Sequence, residues 1–185
     1  MALGSLLIGT GVAFVVSGNL GGDSMTTLEQ GISRSFDIEM ALTPLIANAL
    51  FTIALLLVDR KRVSLDTLIC PFLITLGLKL ASLVIHPAES LVMRIIQMVV
   101  GYLFVALGIG VGAQSETGSN PYDGFVLALC DRLKKDYRII RWAVDIVVLL
   151  VGVLLKGSFG IGTFYAIATT GIVADFFIER LAKLF

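Results

Sequence analysis

The chain has 185 residues, 57% of them hydrophobic and 15% charged, with fourteen basic side chains balanced by fourteen acidic ones. A mean hydropathy of +0.95 is incompatible with a soluble domain of this size, which would expose too much apolar surface. That excludes a soluble basic domain, and with it nucleic-acid binding, and makes the lipid bilayer the first partner.

Apolar stretches of about 17 to 23 residues, enough to cross a hydrocarbon core of about 30 Å, fall at about 3–19, 39–58, 66–85, 91–113, 138–156 and 162–182. The first lacks a basic leader, and Ser17-Gly18-Asn19 continues into a structured segment instead of a cleavage site, so it reads as a retained span. The missing basic leader is also consistent with a natural chain that begins slightly earlier. After this span comes a Gly-rich break, Leu20-Gly21-Gly22-Asp23-Ser24, that opens a short amphipathic helix. Asp23 or Ser24 is its expected N-cap, and Thr26 stands in its first turn. The second span carries Asn48. A short linker, His86 to Ser90, joins the third span to the fourth, and a second break follows at Thr117-Gly118-Ser119-Asn120-Pro121. Here Asn120 is placed to cap a helix, Pro121 suits the first helical position where no amide donor is needed, and Asp123 meets free amides in the first turn. The fifth span carries Arg141 and Asp145. Asp175, Glu179 and Arg180 make the distal end of the sixth look like a helix leaving the bilayer, so a five-span version stays open.

The two breaks lie 97 positions apart, about half the chain. At that offset Gly11 meets Gly108, Gly21 meets Gly118, Gly31 meets Ala128 and Asn48 meets Asp145, while the openings of the third and sixth spans match with a slip of one. Each half reads as a span, a break with a short helix, and two further spans: repeat 1 at about 3–85 and repeat 2 at about 91–185, within one membrane domain of 1–185. Three spans per half oblige the second half to enter from the opposite side. The expected fold is thus all-α, a polytopic bundle of six transmembrane helices in two inverted repeats. Lys and Arg resist translocation, and ten of them fall on one face against four (Arg34, Lys79, Arg94 and Lys156) on the other. Both termini are accordingly expected in the cytoplasm of a multi-pass plasma-membrane protein.

Inverted repeats supply two nearly equivalent arrangements about an axis in the membrane plane, a physical basis for alternating access, although duplication is also a cheap way to build any bundle. If the breaks fold inward, two helix N-termini with partial positive charge face the interior and suit an anion or another polar group. If not, they are interfacial helices with ordinary caps. Asp145 is expensive in a span unless paired, and Arg141 at i, i+4 spacing is its natural partner; Asn48 at the matching place suggests a shared polar centre. Glycines in the first and fourth spans let those two helices cross closely, and Gly108 and Gly112 have the GxxxG spacing, a surface equally open to a homodimer contact. Trp142, Tyr137 and Tyr102 read as an aromatic belt. Cys70 and Cys130 indicate neither a disulfide framework nor a metal site, and no constellation of an enzyme or a cofactor site is present.

The run Leu20-Gly21-Gly22-Asp23-Ser24-Met25-Thr26-Thr27-Leu28-Glu29-Gln30-Gly31-Ile32-Ser33, with Gly118-Ser119-Asn120-Pro121-Tyr122-Asp123, Arg141, Asp145, Gly157, Gly160-Ile161-Gly162-Thr163 and Gly171, resembles the YczE/YyaS/YitT-like bacterial integral membrane proteins. The resemblance covers nearly the whole chain and departs at Ser24-Met25-Thr26, where the family pattern has proline, tryptophan and aspartate. It implies a membrane fold and roles in transport or in support of secondary metabolism. The function expected from the sequence is a small permease or channel-like secondary transporter for a small polar solute, an anion being one option. Asn120, Asp123, Arg141, Asp145, Asn48, Asp23, Ser24 and Thr26 are its candidate binding residues. The alternative is an accessory membrane subunit that binds a ligand or scaffolds a partner protein without translocating anything.

Overall fold

The computed structural model describes residues 2–113 and 120–181. Gln114, Ser115 and Glu116 and the first three residues of the second break lie outside them. Every regular element among the described residues is helical, in the order α1 (Ala2–Gly18), α2 (Ser24–Phe36), α3 (Thr43–Val58), α4 (Leu65–Ser82), α5 (Leu91–Ala113), α6 (Pro121–Leu133), α7 (Tyr137–Leu154) and α8 (Ile161–Leu181), with 3-10 turns at Met40–Leu42 and Arg60–Arg62. Among the described residues, three stretches are long and apolar enough to cross a membrane: Met40–Val58, Leu65–Ser82 and Leu91–Gly112. The apolar α1 is one residue shorter than the shortest of these, and α7 carries Arg138, Arg141 and Asp145 in its sequence.

Local chemistry explains where the helices begin. The Asp23 side chain accepts from the Thr26 backbone N–H at 3.1 Å, and the Asn120 side chain accepts from the Asp123 N–H at 2.9 Å, so each break ends in an N-cap that satisfies an otherwise orphaned donor. Between the two candidates at the first break, Asp23 is the cap. Ser64 and Thr67 form a capping box at the start of α4. Both short helices stop at a residue in the left-handed region, Asp37 (φ 54) and Lys134 (φ 52).

Helices α4, α1, α5 and α8 pack side by side as one row, the contact between α1 and α5 being the most extensive in the molecule. In that contact glycine meets backbone: a β-carbon on Gly4 would lie 2.6 Å from the Gly108 carbonyl, and one on Gly11 2.6 Å from that of Gly101. Gly9 presses as closely on the Ile74 carbonyl of α4. The remaining four helices form a cluster, α2 against α7 and α3 against α6, around Leu28, Ile32, Ala47, Tyr122, Val126, Ile140 and Val148. Large apolar side chains on the outward faces, among them Ile53, Leu57, Phe72, Leu80, Ile96, Trp142, Ile146, Leu150, Phe164 and Ile167, stay exposed. Such a surface suits hydrocarbon, and the apolar helices fit a membrane protein.

Candidate functional site

Glycines at the first break let the chain turn back toward the interior. Gly21 adopts a positive φ of 103° and sits against Gly160, while the Leu20 carbonyl accepts from the Gly162 N–H at 2.8 Å. From there α2 runs alongside α7 with most of its length buried, Gly31 lying on the Gly152 carbonyl. It ends where Arg34 donates to the Lys156 carbonyl at 2.9 Å and to the Ser158 hydroxyl at 2.8 Å. The other short helix runs the opposite way. α6 starts at the same depth along α7 and ends with Asp131 paired to Arg62 of the α3–α4 turn. Both short helices pack into the bundle: Ser24, Thr26 to Ile32, Pro121, Tyr122, Gly124, Val126 and Ala128 are buried.

The starts of the two short helices meet at Asp145. The Ser24 hydroxyl of α2 and the Tyr122 hydroxyl of α6 both donate to its Oδ1 atom, and Arg141 Nε donates to Oδ2 at 3.0 Å. Arg141 also pairs through Nη1 with Asp123, donates to the Tyr137 hydroxyl at 3.1 Å, and lies over the Tyr122 ring at 4.6 Å from its centroid. One cation thus serves two carboxylates, and the partial positive charge of two helix N-termini offsets the remaining negative charge. Burial, then the Asp145 charge, pushes the Tyr122 hydroxyl well above the usual phenol range, which keeps it a neutral donor. Asp23 is held above the usual carboxylate range by burial, against the lowering effect of its bond from Thr26.

Of the residues singled out from sequence, Ser24, Asp123, Arg141 and Asp145 come together in one hydrogen-bonded network. Asp23 and Asn120 act one step back by capping the helices that aim at it. Thr26 packs over Gly22. Asn48 is buried, but its amide donates to the Pro44 carbonyl of its own helix at 2.8 Å instead of joining Asp145. Tyr122 and Tyr137 are further members that the sequence pattern did not place in the site. Tyr102, read as part of an aromatic belt, is 4% exposed and packs on Tyr165 of α8, so it belongs to the interior; Trp142, 68% exposed, fits the belt. The capping role of Asp23 is directly testable: Asp23→Ala is expected to lower thermal stability by about 1 kcal/mol, whereas Asp23→Asn, the side chain at the matching break, retains the cap and most of that stability in a melting curve.

The profile of the family described as "Family of unknown function (DUF6198)" matches residues 1–179 of the chain. The chain belongs to this family. Among similar proteins, this DUF6198 chain shares 30% identity over 183 residues with an "Uncharacterized protein" of Haemophilus influenzae, covering 96% of this chain and 81% of the relative. It is also 23% identical over 186 residues to the "Uncharacterized protein YyaS" of Bacillus subtilis, covering 99% of this chain and 92% of that protein. The resemblance to YyaS-like proteins read from the breaks is thereby borne out along the whole chain. No solved structure matches this DUF6198 chain.

Proposed function

We propose that this DUF6198 protein is a small multi-pass permease of the plasma membrane that moves a small polar solute through the Arg141–Asp145 centre. One observation carries the reading: two short helices, from matching places in the two halves, start head to head on the same carboxylate. Broken helices whose N-termini face each other at mid-depth are the arrangement by which repeat-built transporters hold a polar group away from lipid. Arg141 is the group to receive an anionic part of the solute, with Asp123 and Asp145 holding the guanidinium in place for it.

Six spans in two inverted repeats are part of the same reading, and the 97-residue offset supports it. It relates the N-caps Asp23 and Asn120 and the left-handed caps Asp37 and Lys134. It also turns the Gly4–Gly108 contact into the Gly101–Gly11 contact, as a two-fold axis between α1 and α5 would. Orientation with both termini in the cytoplasm draws support from the grouping of charges. Arg34, Arg94 and Lys156 gather at the end where Arg94 donates to the Gly18 and Asn19 carbonyls, and Arg62 lies at the other.

The experiment is ligand-dependent thermal stabilisation of the purified protein against a panel of small anions, amino acids, sulfonates and vitamins, repeated with Asp123→Ala and Asp145→Asn. A solute that raises the melting temperature of the native protein but of neither variant, and is then carried into proteoliposomes, is the expected result. An intact, monodisperse protein that no solute stabilises, and that copurifies with another membrane protein, would replace the permease by an accessory subunit.

A further inference from the structure

Position 29 is a buried place at which the two halves differ in chemistry. At the 97-residue offset Glu29 corresponds to Val126, and both are buried, at 4% and 0% exposure. A carboxyl therefore occupies a place that its counterpart fills with an isopropyl group. The neighbouring buried polar side chains of α2 are provided for: Ser24 donates to Asp145, Thr27 to the Gly22 carbonyl at 3.1 Å, and Gln30 accepts from the Ser158 N–H at 3.0 Å. Glu29 Oε2 is buried without a hydrogen-bond partner. On α5 the buried Tyr102 hydroxyl is unpartnered as well.

Among the described residues no basic side chain is paired with Glu29. α1 and α3 contain no ionisable side chain. On α7, Arg141 is engaged by Asp123 and Asp145, and Arg34 at the far end of α2 is bonded to Lys156 and Ser158. On α6 the ionisable side chains of the first turn, Tyr122 and Asp123, are committed to the α7 network. With Oε2 buried and lacking a donor, the neutral acid is the form that burial tolerates.

Resting on the permease reading, we propose that Glu29 is a proton-binding site, the carboxyl that takes up and releases the coupling ion. Burial, reinforced by Asp23, holds its acidity constant well above the ordinary glutamate value, as a loading site for protons requires. The sign for stability follows. The folded protein binds this proton more tightly than the unfolded chain, so stability is lost as pH rises from the unfolded value of 4.5 through the raised folded one.

The test is infrared difference spectroscopy of the protein in lipid membranes, stepped from about pH 5 to about pH 10, without any solute. A carboxylic C=O band that disappears as pH rises and is missing from Glu29→Gln is the expected result, together with a flatter dependence of melting temperature on pH in that variant. A titrating band that Glu29→Gln leaves intact overturns the assignment, and so does a Glu29 band that never titrates, since a locked proton couples nothing. If Glu29→Gln fails to fold, Glu29→Val, the side chain of the other half, serves in its place. The native protein gives a second readout: dicyclohexylcarbodiimide, which attacks protonated carboxyls in apolar surroundings, should label the Glu29 peptide at low pH and lose that label as pH rises, while a Glu29 peptide unlabelled at every pH counts against the site. Proton loading is read here with no solute present. Its failure therefore leaves solute flux to be judged separately, and failure of flux leaves the loading measurement standing.

Discussion

Arg141→Ala is expected to abolish solute movement and to lower the folding stability by about 2–3 kcal/mol, the effect of leaving partly buried carboxylates without their cation. The guanidinium is shared between Asp123 and Asp145 and stacked on Tyr122, so one deletion removes two ion pairs and a ring contact. Lysine should rescue little of this, because a single ammonium does not reproduce a planar fork holding two carboxylates. The double variant Arg141→Ala with Asp145→Asn separates the causes: it should recover part of the stability, since the uncompensated charge goes with its partner, but none of the flux. Thermal unfolding and proteoliposome uptake measured on the same preparations check both halves, and full flux in Arg141→Ala would remove the residue from the solute site.

The second large effect belongs to the row of four helices. Gly11→Val places a side chain where the Gly101 carbonyl stands 2.6 Å from the first added carbon, and a backbone atom cannot swing aside as a flexible side chain would. The axes of α1 and α5 have to part, which loosens contacts along both helices; the expected loss is about 3 kcal/mol or more. Gly108→Val meets the Gly4 carbonyl at the same distance and should behave alike. Gly112→Ala is the control, because among the described residues a β-carbon there meets nothing within 4 Å. Size-exclusion profiles and melting curves in detergent should show two damaged variants and one intact protein.

What the sequence disclosed follows from how local each signal is. Helix starts were legible at Asp23 and Asn120 because glycines followed by a capping side chain settle a boundary within four residues. The Arg141–Asp145 pair was legible because opposite charges one turn apart in an apolar run are tolerated there chiefly by pairing with each other. The meeting of Ser24 with Asp145 was not, since it joins residues 121 positions apart through the packing of α2 on α7. Glu29 escaped for a different reason. An amphipathic pattern tells which face of a helix is polar, and says nothing of whether that face looks onto water or into the protein. Asn48 misled by analogy with Asp145: an amide can satisfy itself on the carbonyl one turn back, as it does on Pro44, whereas a carboxylate has no proton to offer there.

The grouping of helices cuts across the duplication. Every close glycine contact between two described helices falls either within the row α4, α1, α5 and α8 or within the cluster α2, α3, α6 and α7. Each half of the chain gives two helices to the row and two to the cluster, so the stiff seams run along each layer and the soft one runs between the layers. Mechanically the molecule is then a frame and an insert, with the Arg141–Asp145 centre riding on the insert. A displacement of one layer past the other would shift both short helices together and keep their starts on the same carboxylate, while the frame, locked backbone to backbone, stayed still.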